Sequence, residues 1–137
     1  MKDGVTVVAL DDKENIITTN EYAYALKDFS FEVISGWMDD KETPLECAKR
    51  ELKEETGYEA DEWIDLWYID PFTSIVRSRN YLFLARKLSS WIPSPDEGEV
   101  LNIWKIPYSQ ALEMVMNSEI THAGSVVAIL KTQKYLS

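Results

Sequence analysis

The stretch that decides the fold reads Gly36-Trp37-Met38-Asp39-Asp40-Lys41-Glu42-Thr43-Pro44-Leu45-Glu46-Cys47-Ala48-Lys49-Arg50-Glu51-Leu52-Lys53-Glu54-Glu55-Thr56-Gly57-Tyr58. A glycine-led loop runs into a strongly punctuated helix. Thr43 stands at the N-cap, Pro44 at the first helical position and Glu46 where its side chain reaches back, which together form a capping box. Gly57 sits where a left-handed C-cap is wanted. Leu45, Ala48 and Leu52, three and four apart, share one face and are expected to dock on a sheet. At about 100° per residue, Glu51 and Glu55 lie one turn apart beside that stripe, with Glu54 to one side. Carboxylates next to a packed seam are held in place and partly desolvated.

Outward from this helix, the chain reads as alternating strands and helices. Residues 5–10 (V-T-V-V-A-L) form a buried strand. A turn at 11–15 leads to residues 16–19, which are expected to pair back as a hairpin, with 21–25 continuing them. Residues 29–34 read as one strand ending at Ser35-Gly36. Residues 62–69 and 79–86 are further strands, the second apolar on both faces and therefore central. Pro93-Ser94-Pro95-Asp96-Glu97-Gly98-Glu99 is a loop. Residues 100–106 are a strand, and 109–116 and 123–135 are helices, the last burying Val126, Val127, Ile129 and Leu130. Strands on either side of the capped helix, with more helices at the end, indicate one α/β domain with a mixed sheet covered on both sides.

Composition limits the function. The chain has 137 residues, long enough for a real core, and a formal net charge of -10. Such a surface repels nucleic-acid backbones, so an anionic substrate needs a local metal or arginine. One cysteine excludes a disulfide framework, and no run approaches the roughly 18 apolar residues of a membrane helix. A cytoplasmic protein without a signal peptide is the expectation.

Carboxylates on adjacent helix turns make a hard-oxygen site. It suits Mg²⁺ or Mn²⁺, whereas zinc would want His or Cys, and the chain has one of each, far apart in sequence. Mg²⁺ bridges to phosphate oxygens, so a diphosphate is the natural substrate class. Arg50 can fork to a carboxylate and hold the cluster. The pattern E-x-x-E-E alone is compatible with an ordinary solvated helix carrying i,i+4 pairs. The leading Gly36, the intermediate Glu42, Arg50 and the closing Gly57 shift the balance.

Residues 36–58 match the 23-residue Nudix box at each fixed position, and the chain resembles the Nudix hydrolases. The resemblance implies an α/β/α sandwich spanning residues 1–137 and divalent-metal hydrolysis of a nucleoside diphosphate linked to another group. It also places metal ligands at Glu51, Glu54, Glu55 and the carbonyl of Ser35, with Arg50 orienting the glutamates and Glu42 supporting the loop. Residues 21–25, 31–36, 68–71, 82–85 and 96–99 are similar to ADP-ribose pyrophosphatases. Departures occur at Ala23, where that group has Arg, at Val33-Ile34-Ser35-Gly36 in place of Leu-Pro-Ala-Gly, and at Thr121-His122-Ala123, in place of a more acidic version. These similarities imply ADP-ribose cleavage to AMP and ribose 5-phosphate. Another nucleotide sugar or a nucleoside triphosphate is the alternative substrate, and a non-catalytic nucleotide-sensing or protein-binding domain is the alternative role.

The water-orienting base in such enzymes often lies on a loop after the central strands. Glu97 and Glu99 are the candidates, Glu99 slightly ahead. Arg77, Arg79, Tyr22 and Gly36 are candidates for substrate contact, and Tyr24, Phe29 and Trp37 for stacking on a base. For the arginines an ordinary surface role weighs equally, and for the strand aromatics a core role weighs more. His122 reads as a helix-start residue and Cys47 as a small core filler. Relatives often carry an N-terminal region ahead of Gly4 that exchanges between subunits, so a homodimer here is expected to form differently.

Overall fold

The computed structural model describes residues 2–23, 28–72, 77–90 and 103–136, with backbone alone for 21–23 and 28–30. The elements follow in the order β1 (Gly4–Ala9), β2 (Asn15–Ala23), β3 (Asp28–Glu32), β4 (Ile34–Trp37), α1 (Pro44–Thr56) and β5 (Tyr58–Ile69). Then come β6 (Asn80–Ser90), β7 (Ile103–Pro107), α2 (Tyr108–Met116), α3 (Ala123–Thr132) and a short 3₁₀ turn (Gln133–Tyr135).

Strand β1 is the spine. It is buried along its whole length, and successive residues point to opposite faces of its sheet. Val5, Val7 and Ala9 join Cys47, Ala48 and Leu52 of α1 in one core. Val8, and Leu10 just past the strand, join Ala111 and Met114 of α2 and Ala128 and Ile129 of α3 in the other. The four-stranded sheet has the order β4-β1-β6-β5. Strands β1 and β6 run parallel, whereas β1–β4 and β5–β6 are antiparallel. A second, antiparallel sheet has the order β3-β2-β7. The expected layered architecture, a mixed sheet with helices on both sides, is the one observed. The expected central strand is β6, with Leu82 and Leu84 facing one core and Phe83 and Ala85 the other.

Two local expectations change. Residues 16–19 do not form a hairpin with β1. A single bridge, Leu10–Ile16, joins them before β2 leaves for the second sheet. The Asp11 carboxylate organises that departure by accepting from the N–H groups of Lys13 and Asn15, both at 2.9 Å. The strand expected over 29–34 is two strands in different sheets: β3 pairs with β2, β4 pairs with β1, and the chain crosses at Val33.

Helix α1 is terminated as its sequence dictates. Thr43 Oγ1 accepts from Glu46 N–H at 3.2 Å, and Glu46 Oε1 accepts from Thr43 N–H at 2.9 Å. Gly57, at φ 74°, closes the helix by donating to Lys53 O. Its docked face is Cys47, Ala48, Leu52 and Thr56, not Leu45, which is 37% exposed. Full burial of Leu52 contributes roughly 1.5–3 kcal/mol. On α3 the buried residues include Ala128 and Ile129, whereas Leu130 is 40% exposed and Val126 and Val127 are half-buried. Among the described residues no helix is long and apolar enough to cross a membrane.

Candidate active site

The site is built where α1 crosses the short edge strand β4. Pairing with β1 sets Ser35 opposite Thr6 and Gly36 opposite Val5. A Cβ added to Gly36 would stand 2.2 Å from Cδ and 2.4 Å from Oε1 of Glu51. Gly36 is therefore glycine for space: its bare Cα lets a carboxylate lie against the strand. Glu51 has only 14% of its side chain exposed. Burial pushes its carboxyl pKa up, and the adjacent Arg50 opposes that rise without overcoming it. Glu55 lies one turn on, and its Oε2 is buried without a hydrogen bond of its own. These acids lie beside the docked seam of α1, as the helical spacing predicts.

Arg50 is the hub. Nε donates to Glu42 Oε2 at 2.7 Å and Nη2 to Glu42 Oε1 at 3.0 Å, a two-pronged fork. Nη1 donates to Glu51 Oε1 at 2.9 Å and to Glu54 Oε2 at 3.1 Å. Nη2 also reaches the carbonyl of Trp37 at 3.1 Å. The Arg50 fork, helped by the backbone N–H of Asp39, holds the Glu42 carboxyl down to about 2. The same partners, Glu42 first, raise the guanidinium pKa further above its ordinary value. Thus one cation ties the loop acid, two helix acids and the end of β4 together. Of the two helix acids bonded to Arg50, Glu54 is the more exposed, at 59% against 14% for Glu51.

Three contributors to this web were missed from sequence. Asp39 lies 3.6 Å from Arg50 and fixes Glu42 through its N–H. The Trp37 carbonyl is the strand's own anchor. Cys47, expected to be filler, is indeed buried, but its Sγ also donates to Trp37 O and accepts from Arg50, both at 3.6 Å. Burial is the main reason that its thiol is pushed up to about 12. Backbone carbonyls carry no sequence signal. Asp39 is three residues before Glu42, a spacing with local meaning only once the loop's turn is known.

The other expected residues scatter. Register places Arg79 at the same sheet end as Gly36, since Gly4 pairs with both Asn80 and Trp37. Its guanidinium, however, donates to Asp70 Oδ1 at 3.2 Å and stacks 3.8 Å over the Tyr68 ring. Arg77 is exposed. Trp37 is 57% exposed beside Gly36. Tyr22 has its backbone in β2 opposite Phe29, and Tyr24, Glu97 and Glu99 lie outside the described residues. His122 does start a helix, as its place in sequence suggests: its Nδ1 accepts from Ser125 N–H at 3.2 Å. A hollow of about 840 Å³ among Leu10, Tyr58, Arg86 and Lys105 opens at the opposite end of the sheet and contains none of the box acids.

The residues suit a hard divalent cation. The donors are all carboxylate oxygens, Glu51 is sunk against a glycine that leaves room for it, and one Glu55 oxygen is buried without a hydrogen bond. Among the described residues no three acids already converge as a finished ligand set, because Arg50 stands between Glu51 and Glu54.

Comparison with known proteins agrees with this geometry. A family model described as the NUDIX domain matches residues 1–123. The ADP-ribose pyrophosphatase of Bacillus subtilis is 30% identical over 92% of this chain and 69% of its own length. The methanol dehydrogenase activator of Bacillus methanolicus is 27% identical over the same shares. The crystal structure of an ADP compounds hydrolase superposes with a TM-score of 0.84 at 25% identity, over 98% of this chain and 72% of the other. With the box carboxylates gathered around Arg50 and the family model running through nearly the whole chain, this protein belongs to the Nudix family of hydrolases acting on pyrophosphate bonds.

Proposed function

We propose that the chain is a Mg²⁺-dependent pyrophosphohydrolase that cleaves ADP-ribose to AMP and ribose 5-phosphate, with Mn²⁺ as the alternative metal. The observation that carries the reaction class is the buried Glu51 carboxylate packed on Gly36 and shared, through Arg50, with Glu54 and Glu42. The similarity to an ADP-ribose pyrophosphatase supports the substrate.

Glu51, Glu54, Glu55 and the Ser35 carbonyl are the residues assigned to hold the metal. When bound, a divalent ion supplies positive charge for phosphate oxygens and acidifies a bound water. The chain's own residues do the rest. Arg50 is a positioning residue that holds Glu42, Glu51 and Glu54 together before substrate arrives. Gly36 keeps the approach to Glu51 open. Glu99, or Glu97 on the same loop, is assigned to orient the attacking water and take its proton. Arg77 and Tyr22 are assigned to contact the substrate, and the exposed Trp37 ring offers a face for the adenine. Arg79 can join only by leaving Asp70 and Tyr68.

The test is a panel of ADP-ribose, other nucleoside diphosphate sugars and nucleoside triphosphates, with and without Mg²⁺ or Mn²⁺, read by product chromatography. AMP and ribose 5-phosphate formed only with metal is the expected result. Monophosphate with free diphosphate would move the assignment to triphosphates. Nucleotide binding without any metal-dependent product would overturn hydrolysis in favour of a sensing role. Light scattering on the same sample tests the proposed homodimer, and a monomer would remove it.

A further inference from the structure

We propose that the first turn of α3 is a positioning element for the Ser35–Gly36 segment: the Ser125 hydroxyl, held by the His122 ring, fixes Val33 and thereby the strand against which Glu51 lies. This inference rests on the proposed site, and it concerns the face of the sheet opposite α1.

Strand β4 has four residues and, among the described residues, sits at the edge of its sheet with β1 as its one paired strand. So short a strand is held as much by its ends as by its ladder. Its far end is fixed from the α1 side, where Trp37 O accepts from Arg50 and Cys47. Its near end is fixed from the α3 side. Val33 is the residue at which the chain passes from one sheet to the other, and its N–H donates to Ser125 Oγ at 3.1 Å. Both residues are essentially buried, at 1% and 0% exposure. Ser125 is the recorded partner that this crossing-point N–H finds, and a buried N–H without one is costly.

The serine is itself oriented. His122 Nδ1 lies 3.2 Å from Ser125 N and 2.8 Å from Ser125 Oγ. A ring nitrogen that accepts a backbone N–H carries no proton, so the serine hydroxyl donates to it as well, leaving its lone pairs for Val33. The turn is pressed onto the sheet by Gly124. A Cβ there would meet Thr6 Oγ1 at 2.4 Å and Asn80 Nδ2 at 3.0 Å, and Thr6 is the residue paired with Ser35. Two contacts, through Val33 and through Thr6, thus connect α3 to the strand that carries Gly36.

Glu32 of β3 also stands close, with Oε1 3.8 Å from His122 Nδ1. Because β4 carries Ser35, Gly36 and Trp37, loosening the Val33 anchor should displace the strand and lower turnover.

The experiment compares the backbone amides of Val33 and Gly36 by NMR, and steady-state turnover, in the full chain and its variants at one pH. Ser125→Ala removes the acceptor of the Val33 N–H; it should shift both amides, speed hydrogen exchange at Val33 and lower kcat about tenfold, as a small misplacement of catalytic groups does. His122→Ala removes the ring that holds the serine hydroxyl and should shift the same amides in the same direction by less. His122→Asn keeps a side-chain oxygen at the N-cap and should restore them. A folded Ser125→Ala with wild-type kcat and an unmoved Gly36 amide overturns the proposal. If Ser125→Ala does not fold, a His122→Ala protein with wild-type kcat and Gly36 amide overturns it instead. Failure of the hydrolase reading looks different: the wild type then turns over no diphosphate, whatever the amides do.

Discussion

Helices α1 and α3 press on opposite faces of one sheet, and each holds one end of β4. They do so by different chemistry. On the α1 side the anchor is ionic and local in sequence: Arg50 gathers Glu42, Glu51, Glu54 and the Trp37 carbonyl, none more than 13 residues from it. On the α3 side it is neutral and remote: Ser125 accepts from Val33, 92 residues earlier. A charged hub made from one short stretch leaves a readable pattern, whereas a neutral hydroxyl meeting a backbone N–H across the fold leaves none. The strength of the two anchors differs in the same sense, since charge-assisted forks are about twice as strong as neutral hydrogen bonds.

The comparison is broken most severely by removing an acid from the α1 side. Glu54→Gln or Glu55→Gln should lower kcat about 10³-fold, on the scale of losing a preorganised charge at the reacting centre. Glu54 is more than half exposed, so its variant should melt close to the wild type. Product formation at saturating metal and substrate, beside a thermal melt, is the measurement. Wild-type turnover in both variants would show that this helix face is not the site. Arg50→Met comes next. It should cost about 10²-fold in kcat and roughly 5–10 °C in Tm, because it leaves Glu42 and Glu51 mostly buried without their cation. A variant that lost activity at unchanged Tm would make Arg50 a substrate contact and not a hub.

Gly36→Ala separates positioning from stability. The methyl group would meet the end of a flexible Glu51 side chain, not backbone, so the carboxylate should swing aside at little cost to the fold. Mn²⁺ affinity, read by the loss of free-ion signal in electron spin resonance, should fall about tenfold, as when a group that orients a metal ligand is disturbed. Unchanged affinity would mean that Glu51 does not hold metal.

A pH titration of stability tests the ionic anchor on the α1 side. Glu42 is held at about 2, mainly by the Arg50 hydrogen bonds, below its unfolded value. Its contribution is therefore fully present above the unfolded pKa and is lost as pH falls from about 4.5 toward 2. Denaturation midpoints measured through that window should fall steeply in the wild type and less steeply in Glu42→Gln.

Much of the fold was legible because it is carried by local rules. The capping box, the left-handed Gly57 and the two-faced apolar strand β6 each state their structure within a few residues. The site was legible in the same way for Glu42, Arg50, Glu51, Glu54 and Glu55. What was not legible depends on where distant segments meet. The crossing at Val33 is invisible in F-E-V-I-S, since one extended residue resembles another, and only the competing pull of β2 and β1 splits the strand. Arg79 read as a free cation because Asp70 and Tyr68 come to it from the end of another strand.

The smallest effects expose the limit of helical periodicity. Spacing puts Leu45 on the docked stripe of α1 and Leu130 on that of α3, yet both are exposed, at 37% and 40%. The reason is positional. Leu45 lies in the first turn, before the helix has reached the sheet, and the small Cys47 and Ala48 make the close approach instead. Leu130 follows Ala128 and Ile129, which already fill the groove beside Tyr108. Leu45→Ala and Leu130→Ala should each change stability by less than about 0.5 kcal/mol, whereas Leu52→Ala, cut from a fully buried site, should cost about 2–5 kcal/mol. Urea denaturation of the three variants tests this. A large loss at Leu130 alone would mean that its face of α3 is covered in solution, and the proposed homodimer would then have an interface on the side of the sheet away from the box.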